Sequence, residues 1–144
     1  MSFVNVAFAD DFFETRAFAD NWKTSKDKSG LLNLASKLVE KYCQFYDEQG
    51  YPISYIKDEN TCPDWLKEAV CEEALYLANI GKDPTQPDDV TVMGISSTKG
   101  TVFDRTMKAD ILCVQCRVIL THNGGEISPE AVAHGSVHVG RVVK

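Results

Sequence analysis

Asn5-Val6-Ala7-Phe8-Ala9-Asp10-Asp11-Phe12-Phe13-Glu14-Thr15-Arg16, with Trp22 six residues further on, is the stretch whose reading decides the fold. Asn5 suits a helix N-cap, because its side-chain oxygen can accept an unpaired N–H of the first turn. Ala9, Phe12, Phe13 and Ala17 recur at helical spacing, with Asp10, Asp11 and Glu14 on the other side. Acids early and Arg16 late agree with the helix dipole. The segment predicts an amphipathic helix that packs by an aromatic face.

Working outward, Asp20 to Ser29 reads as a polar turn in which Ser25 or Asp27 caps the next helix. Leu31, Ala35, Leu38, Tyr42 and Phe45 then form a stripe flanked by Leu34, Val39 and Tyr46. Lys37, Glu40 and Lys41 fall outside it, so the longest helix is predicted over 28–46, with Gly50 beyond its end. Residues 47–62 read as a long loop, in which Ile53, Tyr55 and Ile56 require packing against this domain or a partner. Pro63 at a first helical position, followed by Asp64, opens another helix. Its stripe is Leu66, Val70, Ala74 and Leu77, widened by Trp65, Ala69 and Tyr76, and Gly81 ends it.

Beyond a Pro/Asp loop, Val90 to Ile95 and Thr101 to Phe103 flank Ser96–Gly100 and predict a β-hairpin-like excursion over about 89–104. Met107 to Leu120 carries two periods. As a helix, Met107, Ile111, Val114 and Val118 share a face; as a strand, Leu112, Val114, Cys116, Val118 and Leu120 alternate with polar positions. Periodicity alone does not choose between them. His122-Asn123-Gly124-Gly125 would supply a helix stop. Ser128-Pro129-Glu130 can open one helical turn, and the rest of the tail reads as an extended arm with little core of its own. The expected fold is mainly α: a small helical bundle, residues 1–123, with the hairpin excursion, and an extended C-terminal arm, residues 124–144.

At 144 residues the chain is long enough to bury one core without disulfides or metal. It has 44% hydrophobic and 25% charged residues, ordinary for a globular domain. No apolar run approaches the roughly 20 residues of a membrane span, and no basic start leads into an apolar block, so neither a membrane segment nor a signal peptide is expected. The net charge of −6 argues against a dedicated nucleic-acid binder, whose affinity comes mostly from neutralising phosphates. Acid is concentrated at one end, in Asp10, Asp11, Glu14 and Asp20. After Glu130 the charged side chains are Arg141 and Lys144, a polarity that suits head-to-tail assembly. Five scattered cysteines fit free thiols in a reducing compartment.

Cys113-x-x-Cys116 with His134-x-x-x-His138 offers the donor types of a tetrahedral zinc site. Seventeen residues separate the pairs, and the cysteines lie inside an apolar run, which favours buried thiols. A redox role for the pair lacks a preceding βα unit. The histidines, including His122, all fall in the last quarter without a nucleophile elbow, and no phosphate loop is present. Asp10-Asp11 and Glu72-Glu73 are sequence neighbours about 100° apart on a helix and read as surface charge rather than an acid/base couple. Lys99, Arg105 and Lys108 form a locally basic loop. No catalysis, cofactor or metal is expected.

The order Ala9-Asp10, Phe13, Thr15-Arg16 and Trp22, then Leu31 and Ala35, resembles the opening of head–tail connector (adaptor, or head-completion) proteins of tailed bacteriophages. The likeness continues through Pro63, Leu66, Ala69, Ala74 and Leu75 and, more weakly, Ser97 to Val102, covering about three quarters of the chain. Many such proteins are labelled DnaT-like and single-stranded-DNA-binding. Relatives often carry Trp-Pro-Arg after the long helix, where this chain has Tyr51-Pro52, and the tail beyond about 122 has no counterpart. The resemblance implies a helix over 107–120 and a non-enzymatic virion protein. It implies a ring of about twelve copies at the head–tail junction, assembled in the host bacterial cytoplasm. Its partners would be the portal, a tail-side neck or tail-terminator protein, and genomic DNA that passes the channel without sequence-specific binding.

On that reading the contacts are made by loop 47–62, hairpin 89–104 and the arm 126–144. Candidate interface residues are Arg16, Trp22, Tyr51, Tyr55, Ile56, Lys99, Arg105, Lys108, His138 and Arg141. A single-stranded-DNA-binding module is the alternative, with Tyr51, Tyr55, Lys57 and Lys99 as its aromatic and cationic face. A small zinc module through Cys113, Cys116, His134 and His138 is the third.

Overall fold

Asn5 caps the first helix as its chemistry requires: its side-chain oxygen accepts the Phe8 N–H at 2.8 Å. The computed structural model of the chain describes residues 4–55, 62–86 and 109–133. Helix α1, Val6–Phe13, buries Ala9 and Phe13. It stops earlier than the apolar spacing suggests, so Ala17 is exposed and Arg16 lies in the turn beyond it. A one-turn helix α2, Asp20–Lys23, sits inside the stretch read as a polar turn and drives Trp22 into the core. Asp27 caps α3, Lys28–Tyr42, by accepting the Gly30 N–H at 3.0 Å.

The helix read as reaching residue 46 ends at Tyr42. Cys43 is extended, and Cys43–Tyr46 forms strand β1 with Cys43 and Phe45 inward and Gln44 and Tyr46 outward. Two partners outside the segment decide this. Strand β2, Pro52–Ile53, pairs antiparallel with β1 through Phe45↔Ile53, and β3, Glu126–Ile127, pairs on its other side through Cys43↔Ile127. The sheet order is β2-β1-β3. Residues 47–55 are therefore largely a tight hairpin rather than a long loop. The Asp47 carboxylate accepts the N–H groups of Gln49 and Tyr51 at 2.9 Å, and Gly50 adopts φ 88°.

Helix α4, Asp64–Ile80, is the central element. Pro63 stands at its N-cap, one position before the expected one, and Gly81 ends it in the left-handed region. Its middle, Ala69 to Leu75, is buried on all sides, because α1, α2, α3 and the last helix all pack on it. That last helix, α5, is Val114–His122. The expected helix over 107–120 is helical only from Val114, with 109–113 outside it, and its buried face is not the expected one. Leu112, Cys116 and Leu120 point inward, while Val114 and Val118 are each 56% exposed. The choice follows from where α4 and β3 stand, which the two competing periods could not encode.

The beginning of the region read as an arm is woven into the domain. After β3 the Ser128 N–H donates to the Tyr42 carbonyl at 2.9 Å, and a 3-10 turn, Pro129–Ala131, forms where Ser128-Pro129-Glu130 suggested one. Ala131 is buried, and its carbonyl accepts the N–H groups of Ile111 and Leu112 at 2.8 and 3.1 Å. The expected hairpin over 89–104 and the tail from 134 lie outside the described residues. No helix among the described residues is long and apolar enough to cross a membrane.

Candidate functional site

The Glu72-Glu73 pair, read as surface charge, is the centre of the molecule's polar seams. Both residues are buried. Being adjacent on α4, they point in different directions, and each ties a different segment to the central helix. Glu72 receives Arg16: one guanidinium nitrogen, Nη2, donates to both carboxylate oxygens, at 2.6 Å to Oε1 and 2.5 Å to Oε2. The same guanidinium lies 5.5 and 5.6 Å from the Phe12 and Phe13 ring centroids. Arg16, a candidate interface residue, thus bonds within the chain to an acid 56 residues away.

Glu73 turns to α5. Its Oε1 accepts the Cys113 N–H at 2.9 Å, pairing the backbone donor of the N-cap residue itself. Burial pushes the Glu73 carboxyl up to about 8; the hydrogen bond from Cys113 and the charge of Arg117 oppose that rise without cancelling it. Next to it, Arg117 pairs with Asp110 at 3.1 Å, and Asp110 Oδ1 accepts the Ala133 N–H at 2.7 Å. The Tyr76 hydroxyl donates to the Asp110 carbonyl at 2.6 Å. Sequence contained one signal for this: Glu73 falls between Val70 and Leu77 on the apolar stripe of α4.

The expected interface residues separate into three groups. Trp22 is fully buried against Phe13, with its indole N–H donated to Asp10 Oδ1 at 3.1 Å and Lys28 Nζ 5.6 Å from its ring. It closes the core and presents no surface. Tyr55 is half-buried in a cluster of edge-on rings with Phe45 and Trp65, centroids 5.1 to 5.5 Å apart. Tyr51 remains at the surface, 68% exposed, on the β1–β2 hairpin beside the exposed Tyr46. Ile56, Lys99, Arg105, Lys108, His138 and Arg141 lie outside the described residues, as does Lys57.

Of the four residues weighed for zinc, Cys113 and Cys116 are described and His134 and His138 are not. Burial pushes the Cys113 thiol up to about 12 and the Cys116 thiol well above its ordinary value. A zinc ligand must be a thiolate, so this pocket opposes the ionisation that binding requires. Among the described residues no three His, Cys, Asp or Glu side chains group as metal ligands.

The structure also exposes residues that no sequence pattern singled out. Phe18, in the turn between α1 and α2, is 93% exposed with φ 61°, a left-handed conformation that is strained for a residue with a Cβ. Val114 and Val118 add an exposed apolar stripe on α5. No sequence period marks Phe18, because it belongs to neither helix. Comparison of the chain with protein-family models, curated proteins and solved structures gives no match. What these features define is a mainly α domain with a small antiparallel sheet, sealed inside by long-range polar ties and leaving large apolar side chains at its surface.

Proposed function

We propose that this chain is a structural head–tail connector of a tailed bacteriophage, assembling as a ring between the portal and tail components and leaving a channel for DNA. The observation that carries the reading is the set of large apolar side chains held in water: Phe18, Tyr51, Val114 and Val118. Isolated exposed apolar residues are ordinary, but an aromatic kept exposed in a strained conformation is better supported by a partner than by the monomer. The resemblance of the N-terminal segment supplies the kind of partner. The net charge of −6 suits a channel through which DNA slides, since a strongly basic lining would retain it.

Mass measurement of the native particle, alone and mixed with portal protein, tests this. The expected result is a closed oligomer or a stoichiometric complex with portal. A strict monomer that never associates with portal overturns the proposal. A shift of single-stranded DNA at physiological ionic strength would replace it with the nucleic-acid reading.

A further inference from the structure

Three chemically active side chains meet at the N-terminus of α5. Cys113 is the N-cap residue and half-buried, and Cys116, three positions on in the first turn, is fully buried. From α4 the fully buried Glu73 reaches the same point; its Oε1 holds the Cys113 N–H, and its Oε2 has no hydrogen-bond partner. Helix N-termini favour thiolates, and a Cys-x-x-Cys placed there is a setting in which protein dithiols are activated. In this site burial and the Glu73 charge both push the thiols up, so what the carboxyl contributes is the spare lone pairs of a proton acceptor. We propose that Cys113, Cys116 and Glu73 form a dithiol site that a low-molecular-weight disulfide oxidises to a Cys113–Cys116 disulfide. The site stands apart from the assembly reading and does not depend on it.

The geometry allows closure. Side chains three apart on a helical turn have Cβ atoms about 5–6 Å apart, against about 3.5–4.5 Å in a disulfide. Cys113 is outside the helix with extended backbone, so rotation there can supply the difference. In the first step hydroxide takes the Cys113 proton and the resulting thiolate attacks one sulfur of the reagent disulfide. A Cys113 mixed disulfide forms and one reagent thiolate leaves, to be protonated by water. In the second, above about pH 8 where Glu73 is ionised, Cys116 gives its proton to the Glu73 carboxylate and attacks the Cys113 sulfur, forming the protein disulfide and expelling the second reagent thiolate, which takes the proton back from Glu73. Two protein thiols are oxidised, and one disulfide is reduced to two thiols.

The groups facing this site are Glu72 and Tyr76 on α4, Asp110 before α5, Arg117 on it, and Cys43 on β1. With burial pushing Glu73 up to about 8 and Cys113 up to about 12, the reduced site holds its protons at neutral pH. It is therefore slow towards ordinary thiol reagents, as buried Cys71 is, but unlike Cys71 it has a cysteine three residues away to capture the mixed disulfide.

The full-length chain, incubated with glutathione disulfide at pH 9 under native conditions, then quenched, digested and mapped by mass, tests the proposal. The expected product is a Cys113–Cys116 peptide lighter by two hydrogens, with Cys62 and Cys71 still alkylatable after denaturation. In Glu73→Gln, closure is expected at least tenfold slower, with glutathione accumulating on Cys113. Failure of the folded parent protein to form this disulfide, or formation of a Cys43–Cys116 link instead, overturns the site. Closure in E73Q as fast as in the parent removes Glu73 from it.

Discussion

Arg16 shows how a side chain on the N-terminal segment can hold the fold. It lies in the turn after α1, stacks near Phe12 and Phe13, and reaches the buried Glu72 on the central helix. Removing one partner of a fully buried ion pair costs roughly 3–5 kcal/mol, and exposed pairs are worth under about 1 kcal/mol. Arg16 is about one-third exposed, so Arg16→Ala is expected to cost about 2 kcal/mol. A double-mutant cycle with Glu72→Ala, read by chemical denaturation, checks this; coupling near zero would return Arg16 to the solvent. Glu73 makes a pH prediction of definite sign. Its pKa rises from an ordinary 4.5 to about 8 in the folded protein, so the folded state binds more protons than the unfolded state between those values. Its contribution is fully present below pH 4.5 and is lost as pH rises to 8. Since one pKa unit is about 1.4 kcal/mol, the swing is on the order of a few kcal/mol. Denaturation midpoints at pH 6 and pH 9 should fall with pH in the parent and change less in Glu73→Gln.

At the scale of elements, the passage from α3 to β1 at Tyr42–Cys43 depends on contacts distant in sequence. Residues 43–46 satisfy a helical stripe and a strand alternation equally, and β2 and β3 settle the matter by pairing on both sides. The end of α5 meets this strand closely. A Cβ on Gly125 would stand 2.5 Å from Cys43 Sγ and 3.0 Å from the Leu120 carbonyl, so the chain can cross there only without a side chain. Gly125→Ala is expected to destabilise by about 1–3 kcal/mol, the range for overpacking a filled core. Thermal denaturation measures it, and an unchanged midpoint would mean that β1 yields without strain. The helix α5 teaches the complementary lesson. Its residues fit a helix and a strand alike, and its inward face is set by where α4 and β3 pack on it.

At the scale of the whole molecule, α4 is buried between the N-terminal helices on one hand and α5 with its following strand on the other. Surface features then carry assembly. Phe18→Gly removes both the strained left-handed conformation and the exposed ring. It is expected to leave the monomer as stable or about 1 kcal/mol more stable, while weakening self-association or portal binding. Native mass measurement beside a thermal melt separates the two, and full assembly of the variant would remove Phe18 from the interface. The sequence by itself determined the mainly α character, the caps at Asn5 and Gly81, and the apolar stripe of α4, because these depend on neighbours within a few residues. Tertiary structure alone decided that Arg16 serves Glu72, that Glu73 pairs the N-cap N–H of a helix forty residues away, and that the stretch after Tyr42 is a strand. Those outcomes rest on which groups share a low-dielectric interior, and a local pattern of residues does not say which distant segments will meet there.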